Sequence, residues 1–217
     1  FNQGLSSWDV SGVTDMEGTF EGASAFDQDL SSWDVSAVKN MSRIFKKAIL
    51  FNQDLGAWGP KMDQVSNFNY MFNDASAFVG TGSLGGLSNW DVSGGTSMYQ
   101  MFYGASSFNC DLSTWEVGNV TNMYQTFRSA GLFDGNISDW DVSAVTNMSG
   151  TFASASSFNQ DIGDWVVSAV TNMAYMFQGA SLFNQDLSEW CVTNIASEPD
   201  GFDDSSGLAA ENYPDWG

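Results

Sequence analysis

One register of 25 residues returns eight times along this chain, and that periodicity restricts it to architectures made by stacking one small unit on the next. The units begin at Phe1, Phe26, Phe51, Phe78, Phe108, Phe133, Phe158 and Phe183. Two run long. An insertion of two residues falls at Gly59-Pro60-Lys61-Met62 and one of five at Gly80-Thr81-Gly82-Ser83-Leu84-Gly85-Gly86, both with turn chemistry. The register also absorbs the bulky residues. Eight of the nine Trp stand at position 8 (Trp8, Trp33, Trp58, Trp90, Trp115, Trp140, Trp165, Trp190), and Phe fills position 1 of every unit. Position 20 carries Phe20, Phe45, Phe72, Phe102, Phe127, Phe152 and Phe177, while position 16 is Met in six units with Phe68 as the exception.

Inside a unit, Leu5 to Ser11 alternates apolar and polar at Trp8, Asp9 and Val10, which predicts a short strand with one buried face. Val13, Met16, Phe20 and Ala23 follow at steps of three, four and three, the spacing of one helical stripe, with Ser11 or Thr14 as its cap. Ala-Ser-Ser and Asn-Gln-Asp then return the chain through a corner. A strand and a helix this short cannot bury their apolar sides alone. Stacking joins them, and the expected fold class is α/β: a right-handed parallel solenoid over residues 1–195, closed by a capping segment at 196–217 that holds Phe202, Leu208, Tyr213 and Trp216. Phe1 opens directly on position 1 without a polar cap, so further repeats or a cap are expected upstream, and uncapped ends would favour self-association.

Charge then narrows the partners. With 26 acidic and 6 basic residues the formal charge is −20, which disfavours phosphate backbones and anionic lipid surfaces. Neither nucleic acid nor membrane insertion is expected, since no apolar run approaches the 18 or so residues of a spanning helix. Histidine is absent, which removes most His-dependent catalysis and His/Cys zinc sites. No pair of carboxylates is set apart by a break in the pattern, and the chain is read as no enzyme.

The pattern Leu5-x-x-Trp8-x-Val10 resembles a leucine-rich repeat in which Trp and Val replace two leucines. More narrowly, Phe158-Asn-Gln-Asp-Ile-Gly-Asp-Trp165 followed by Val170-Thr-Asn-Met173-Ala-Tyr-Met-Phe177 resembles the BspA-like surface-protein repeats of bacteria. That resemblance covers residues 1 to about 195 and implies a secreted or surface-anchored protein with adhesive relatives. It supplies no residue-level binding motif.

Candidate binding residues come from the columns. Position 9 is acidic at Asp9, Asp34, Asp91, Glu116 and Asp141, and these side chains are expected to point away from the core as a strip. At a strand spacing of about 4.8 Å they would repel by about 1 kcal/mol. The strip suits a glycan or protein of a cell surface, with Ca²⁺ as a further candidate ligand; the alternative is a solvated edge in a purely structural spacer or filament subunit. Ice binding is a remoter option, resting on the single column Thr14, Thr96, Thr121, Thr146 and Thr171, which is read as capping. Position 4 (Asp29, Asp54, Asp111, Asp161, Asp186) reads as Asx-type turn acceptors beside a ladder of position-2 Asn. Lys39, Arg43 and Lys47 would share one helix face, a small cationic docking spot on an anionic molecule; the favoured reading is inter-repeat ion pairs, with Lys46 opposite Glu21 and Lys47 opposite Asp74. Cys110 and Cys191 stand three repeats apart, about 15 Å against a bridging limit of about 7 Å, and are not expected to pair. Asn40, Asn119, Asn136 and Asn147 lie in N-x-S/T sequons that such repeats produce by chance.

Overall fold

A computed structural model describes residues 1–216 of the chain. Successive units lie side by side in parallel, marked by single bridges that join Asp15, Asn40 and Asn67 in one run and Ser97, Asn122, Asn147 and Asn172 in another. The backbone donors of each unit divide into two alternating sets. Those of Met16, Gly18, Phe20 and Gly22 donate across to the carbonyls of Asn40, Ser42, Ile44 and Lys46 at 2.7–2.9 Å. Those of Thr19, Glu21 and Ala23 close local turns onto Met16, Gly18 and Phe20.

This division explains why the expected helix does not form. An α-helix would send every one of these N–H groups to the residue four back, leaving nothing for the neighbouring unit. A helix of some ten residues is also marginal by itself, whereas the cross-unit bonds repeat along the whole stack. The steps of three and four at Val13, Met16, Phe20 and Ala23 are met instead by consecutive turns, with φ positive at positions 18 and 22. Gly18 and Gly22 take those angles in the first unit, and Arg43, Lys47, Tyr70, Asp74, Gln125 and Ser154 take them in later ones. Nor is there a strand over Leu5 to Ser11. Trp8 N–H turns back to the Leu5 carbonyl and Val13 N–H to that of Val10, and the parallel pairing sits at position 15. The only helices among the described residues are 3-10 turns at Gly56–Lys61, Gly86–Asn89 and Ala210–Asn212.

Aromatic columns fill the interior. Rings at positions 20 and 1 interleave face to face, at 4.1 Å for Phe20–Phe26, 4.0 Å for Phe102–Phe108 and 4.0 Å for Phe177–Phe183. Along each column neighbouring rings lie roughly one unit apart, as for Phe127–Phe152 at 5.7 Å. The Trp column sits on the core side and fastens each unit to the one before. Trp33 Nε1 donates to the Leu5 carbonyl at 3.1 Å, Trp115 to Leu87 at 2.8 Å and Trp190 to Ile162 at 3.0 Å. Each of these bonds satisfies an indole donor that burial would otherwise strand. Trp8, in the first of the eight units, is 60 % exposed.

Polar ladders run outside the rings. The position-2 amide or carboxylate oxygen accepts the position-2 N–H of the next unit: Asn2 from Asp27, Asp27 from Asn52, Asn109 from Asp134, Asp134 from Asn159 and Asn159 from Asn184. Thr121, Thr146 and Thr171 do not cap helices. Their hydroxyls donate to the carbonyls of Thr96, Thr121 and Thr146 in the preceding unit. The segment after Ile195 continues the repeat's backbone habit, with positive φ at Gly201 and Ser205, and Tyr175 N–H and Gly179 N–H bonded to Asp200 and Asp204 carbonyls. Phe202 is buried there and meets Phe177 edge-on at 5.3 Å. Asn184 Oδ1 then accepts from Ala209 N–H, extending the position-2 ladder by one more rung.

Candidate functional site

The acidic strip lies on the outer side of the segment that follows each Trp, and all five of its members are exposed. Their local geometry is set by the Ser two residues on. Asp9 Oδ1 accepts Ser11 N–H at 3.1 Å and its hydroxyl at 2.7 Å, Asp91 Oδ1 accepts Ser93 N–H at 3.1 Å and its hydroxyl at 2.6 Å, and Asp34 and Asp141 accept the N–H groups of Ser36 and Ser143. Glu116 is followed two residues on by Gly118, and a Cβ at Gly118 would lie 3.2 Å from Asp141 Oδ2, so the next unit's carboxylate leans over that glycine. The strip has two segments, Asp9–Asp34 and Asp91–Glu116–Asp141. Gly59 interrupts it in the third unit, and Val166 and Cys191 hold position 9 in the last two.

Hydrogen bonding dominates the electrostatics. The hydroxyl and N–H of Ser11 pull Asp9 below the ordinary carboxylate value, and the repulsion from Asp34 opposes them only weakly. Ser36 does the same for Asp34, helped by Lys61, whose Nζ lies 3.6 Å from Asp34 Oδ1. Ser143 lowers Asp141. A carboxyl whose folded pKa lies below its unfolded one adds stability that is fully present above the unfolded value of about 4 and is lost as pH falls through the folded value. Asp141→Asn keeps an oxygen for Ser143 N–H but does not titrate. Its urea midpoint, followed against pH, is therefore expected to decline less than that of the natural chain below about pH 4. An acid limb identical in the two proteins would refute this assignment.

Depressions run beside the second segment of the strip. One of 640 Å³ is lined by Ser93, Thr114, Glu116, Asn119, Asp139 and Asp141, and one of 420 Å³ further along by Asp139, Trp140, Asp161 and Asp164. Asp139 and Asp164 stand at position 7, a column that the sequence reading passed over although Glu189 continues it in the eighth unit. Among the described residues no set of three or more carboxylates or thiols converges as a metal cage would require, so Ca²⁺ has no such set on this face.

The other candidate residues fall elsewhere. Asp29, Asp54, Asp111, Asp161 and Asp186 each accept the N–H two residues on at 2.8–3.1 Å, the Asx turn expected of them. Asp54 also accepts Leu84 N–H at 2.6 Å, which holds the longer insertion against the third unit. Lys46 Nζ lies 3.3 Å from Glu21 as anticipated, and Arg43 reaches Glu17 at 3.2 Å; Lys47 has no ion pair among the described residues. The shared helix face of Lys39, Arg43 and Lys47 disappears with the helix. Both thiols are free, with Cys110 buried and pushed above its ordinary pKa by that burial, and Cys191 exposed. The sequon side chains of Asn40, Asn136 and Asn147 accept turn N–H groups, and Asn119 donates to the Ser93 carbonyl. Among the described residues no helix is long and apolar enough to cross a membrane.

A family model described as "Mycoplasma protein of unknown function, DUF285" matches three stretches, residues 1–84, 84–138 and 111–216. The chain belongs to that family, and the threefold match along its length agrees with its repeat character. No curated protein matches it.

Proposed function

We propose that this chain is an extracellular or cell-surface repeat module, a right-handed parallel solenoid of the leucine-rich-repeat type and BspA-like in its repeats, that holds a glycan or protein of another surface against its acidic strip. The observation that carries this reading is the division of labour within each carboxylate. In Asp9, Asp34, Asp91 and Asp141 one oxygen, Oδ1, is bonded internally and fixes the side chain, which leaves Oδ2 as an oriented acceptor facing water. Acceptors held in rows by the backbone lose little freedom on binding, so they can engage amino groups or sugar hydroxyls at low entropic cost. The adjoining depressions bring in Thr114, Asn119 and Asp139, which widen the strip into a polar surface that a macromolecule could follow.

The test is a fourfold variant, Asp9→Asn, Asp34→Asn, Asp91→Asn and Asp141→Asn. Asn serves the same turn elsewhere in the chain, where Asn122 and Asn136 accept the N–H of Tyr124 and Ser138, so folding should survive. Natural chain and variant are screened against neutral cell-surface polysaccharides, matrix proteins and whole cells, in calcium and in EDTA. Saturable binding by the natural chain, weakened about tenfold or more in the variant, supports the proposal. Equal binding by both places the site off the strip, and no binding by either leaves a spacer, which overturns it.

A further inference from the structure

Five of the six basic residues gather in one band of this acidic molecule. Lys39, Arg43, Lys46, Lys47 and Arg128 fall at positions 14–22, where units two to seven carry a single carboxylate, Asp74, while the first unit brings Asp15, Glu17 and Glu21 to the same positions. Glu17 pairs with Arg43 and Glu21 with Lys46, and over units two to seven the rest of the band is poor in the carboxylates that make up the net charge of −20. Running up the same band is a column of half-buried aromatic rings. Arg43 and Lys46 sit over the Tyr70 ring at 5.5 and 5.0 Å, Tyr70 meets Tyr99 at 5.1 Å, and Tyr99 meets Tyr124 at 4.8 Å. Beside the rings an amide ladder runs from Asn73 to Gln100 at 3.2 Å and from Gln100 to Gln125 at 2.7 Å. Arg128 stands in the Lys46 column three units further on.

We propose that this band, separate from the acidic strip, binds an extended, carboxylate-bearing polysaccharide lying along the stack. The rings recur once per unit, a spacing close to the length of one sugar residue in an extended chain. Their outward edges offer phenol and amide groups to hydroxyls and apolar ring carbon to sugar C–H faces. Arg128 at one end of the column, and Lys46 beside its Glu21 partner at the other, supply charge-assisted hydrogen bonds for carboxylates. The charge balance separates this ligand from nucleic acid. A phosphodiester chain carries one charge per about 3.4 Å of strand, so much of its length would feel the surrounding carboxylates, whereas a uronate polymer charged once per disaccharide meets cations only where the band provides them.

Hyaluronan oligosaccharides, titrated calorimetrically into the chain, provide the test, with dextran and oligo(dT) as comparison polymers. Hyaluronan is expected to bind, to weaken as salt rises, and to lose about tenfold in affinity in the Lys46→Gln, Arg128→Gln double variant; because Lys46 also pairs with Glu21 and lies over Tyr70, the single Arg128→Gln variant is titrated beside it and should weaken binding too. Tyr99→Ser with Tyr124→Ser should weaken it further, and the fourfold Asp-to-Asn strip variant should bind it at least as well as the natural chain. The last comparison separates this proposal from the reading of the strip. No hyaluronan binding, equal binding of dextran or oligo(dT), or an affinity untouched by the Lys46/Arg128 pair would each overturn it, leaving the column as packing between units.

Discussion

Phe127→Ala is expected to cost about 3–5 kcal/mol, a large fraction of what holds a domain of this size folded. The ring is fully buried and touches two columns at once. It stacks on Phe133 at 4.1 Å, lies 5.5 Å from Phe102 and 5.7 Å from Phe152 along its own column, and leans on Trp140 at 6.1 Å. Removing it forfeits transfer free energy and opens a void between the fourth and sixth units that their fixed spacing prevents from closing. Because each unit contacts mainly its neighbours, the damage should also divide the stack. Denaturant unfolding followed by Trp fluorescence should show a lower midpoint and a broader or two-step transition. A midpoint within about 1 kcal/mol of the natural chain would mean that the columns carry far less of the stability than their burial suggests.

Gly135→Ala is expected to destabilise by up to about 3 kcal/mol although it adds one carbon. At Gly135 the chain passes so close to the fifth unit that a new Cβ would stand 1.9 Å from the Cys110 carbonyl oxygen, 2.8 Å from its carbon and 3.0 Å from the Phe133 ring. Backbone cannot rotate away as a long side chain can, so the units themselves must separate. Gly131→Ala supplies the comparison, since its new Cβ would meet only Ser156 Oγ at 3.7 Å and its φ is not positive. Thermal melts of the two variants should differ by several degrees, with Gly131→Ala near the natural value. Equal melts would show that the fifth and sixth units can part at no cost.

The columns were legible in the sequence because burial repeats with the register: Phe at positions 1 and 20 and Trp at position 8 read as core from their recurrence alone. The local conformation was not. Val13, Met16, Phe20 and Ala23 have the spacing of a helix stripe, but that spacing also fits turns that face inward every three to four residues, and periodicity alone cannot tell where the N–H groups go. Asp29 and its column were readable as Asx turns from residue type. That Asp9 and Asp141 are steered by Ser11 and Ser143 was equally within reach, given a Ser two residues on, but the reading stopped at their outward direction. Whole-chain charge says little about placement. The cluster Lys39, Arg43, Lys46 and Lys47 is visible along the sequence, but that five of the six cations share one band with Tyr70, Tyr99 and Tyr124 emerges only from register against the neighbouring units.

The position-2 ladder stops at Val79, which has no side-chain acceptor to offer, so Asn109 N–H bonds to the Val79 carbonyl instead. The position-15 bridges stop one junction earlier, between Asn67 and Ser97, where Asn69 Oδ1 takes the Ser97 hydroxyl and Tyr99 N–H as substitutes. The two interruptions thus lie on opposite sides of the fourth unit, which carries the insertion that Asp54 holds at Leu84. A chain pulled from its ends would therefore not unravel unit by unit with even resistance. The fourth unit is the odd link, tied to its neighbours by a different set of bonds on each side, and the load would change character as it passed from the three units before it to those behind.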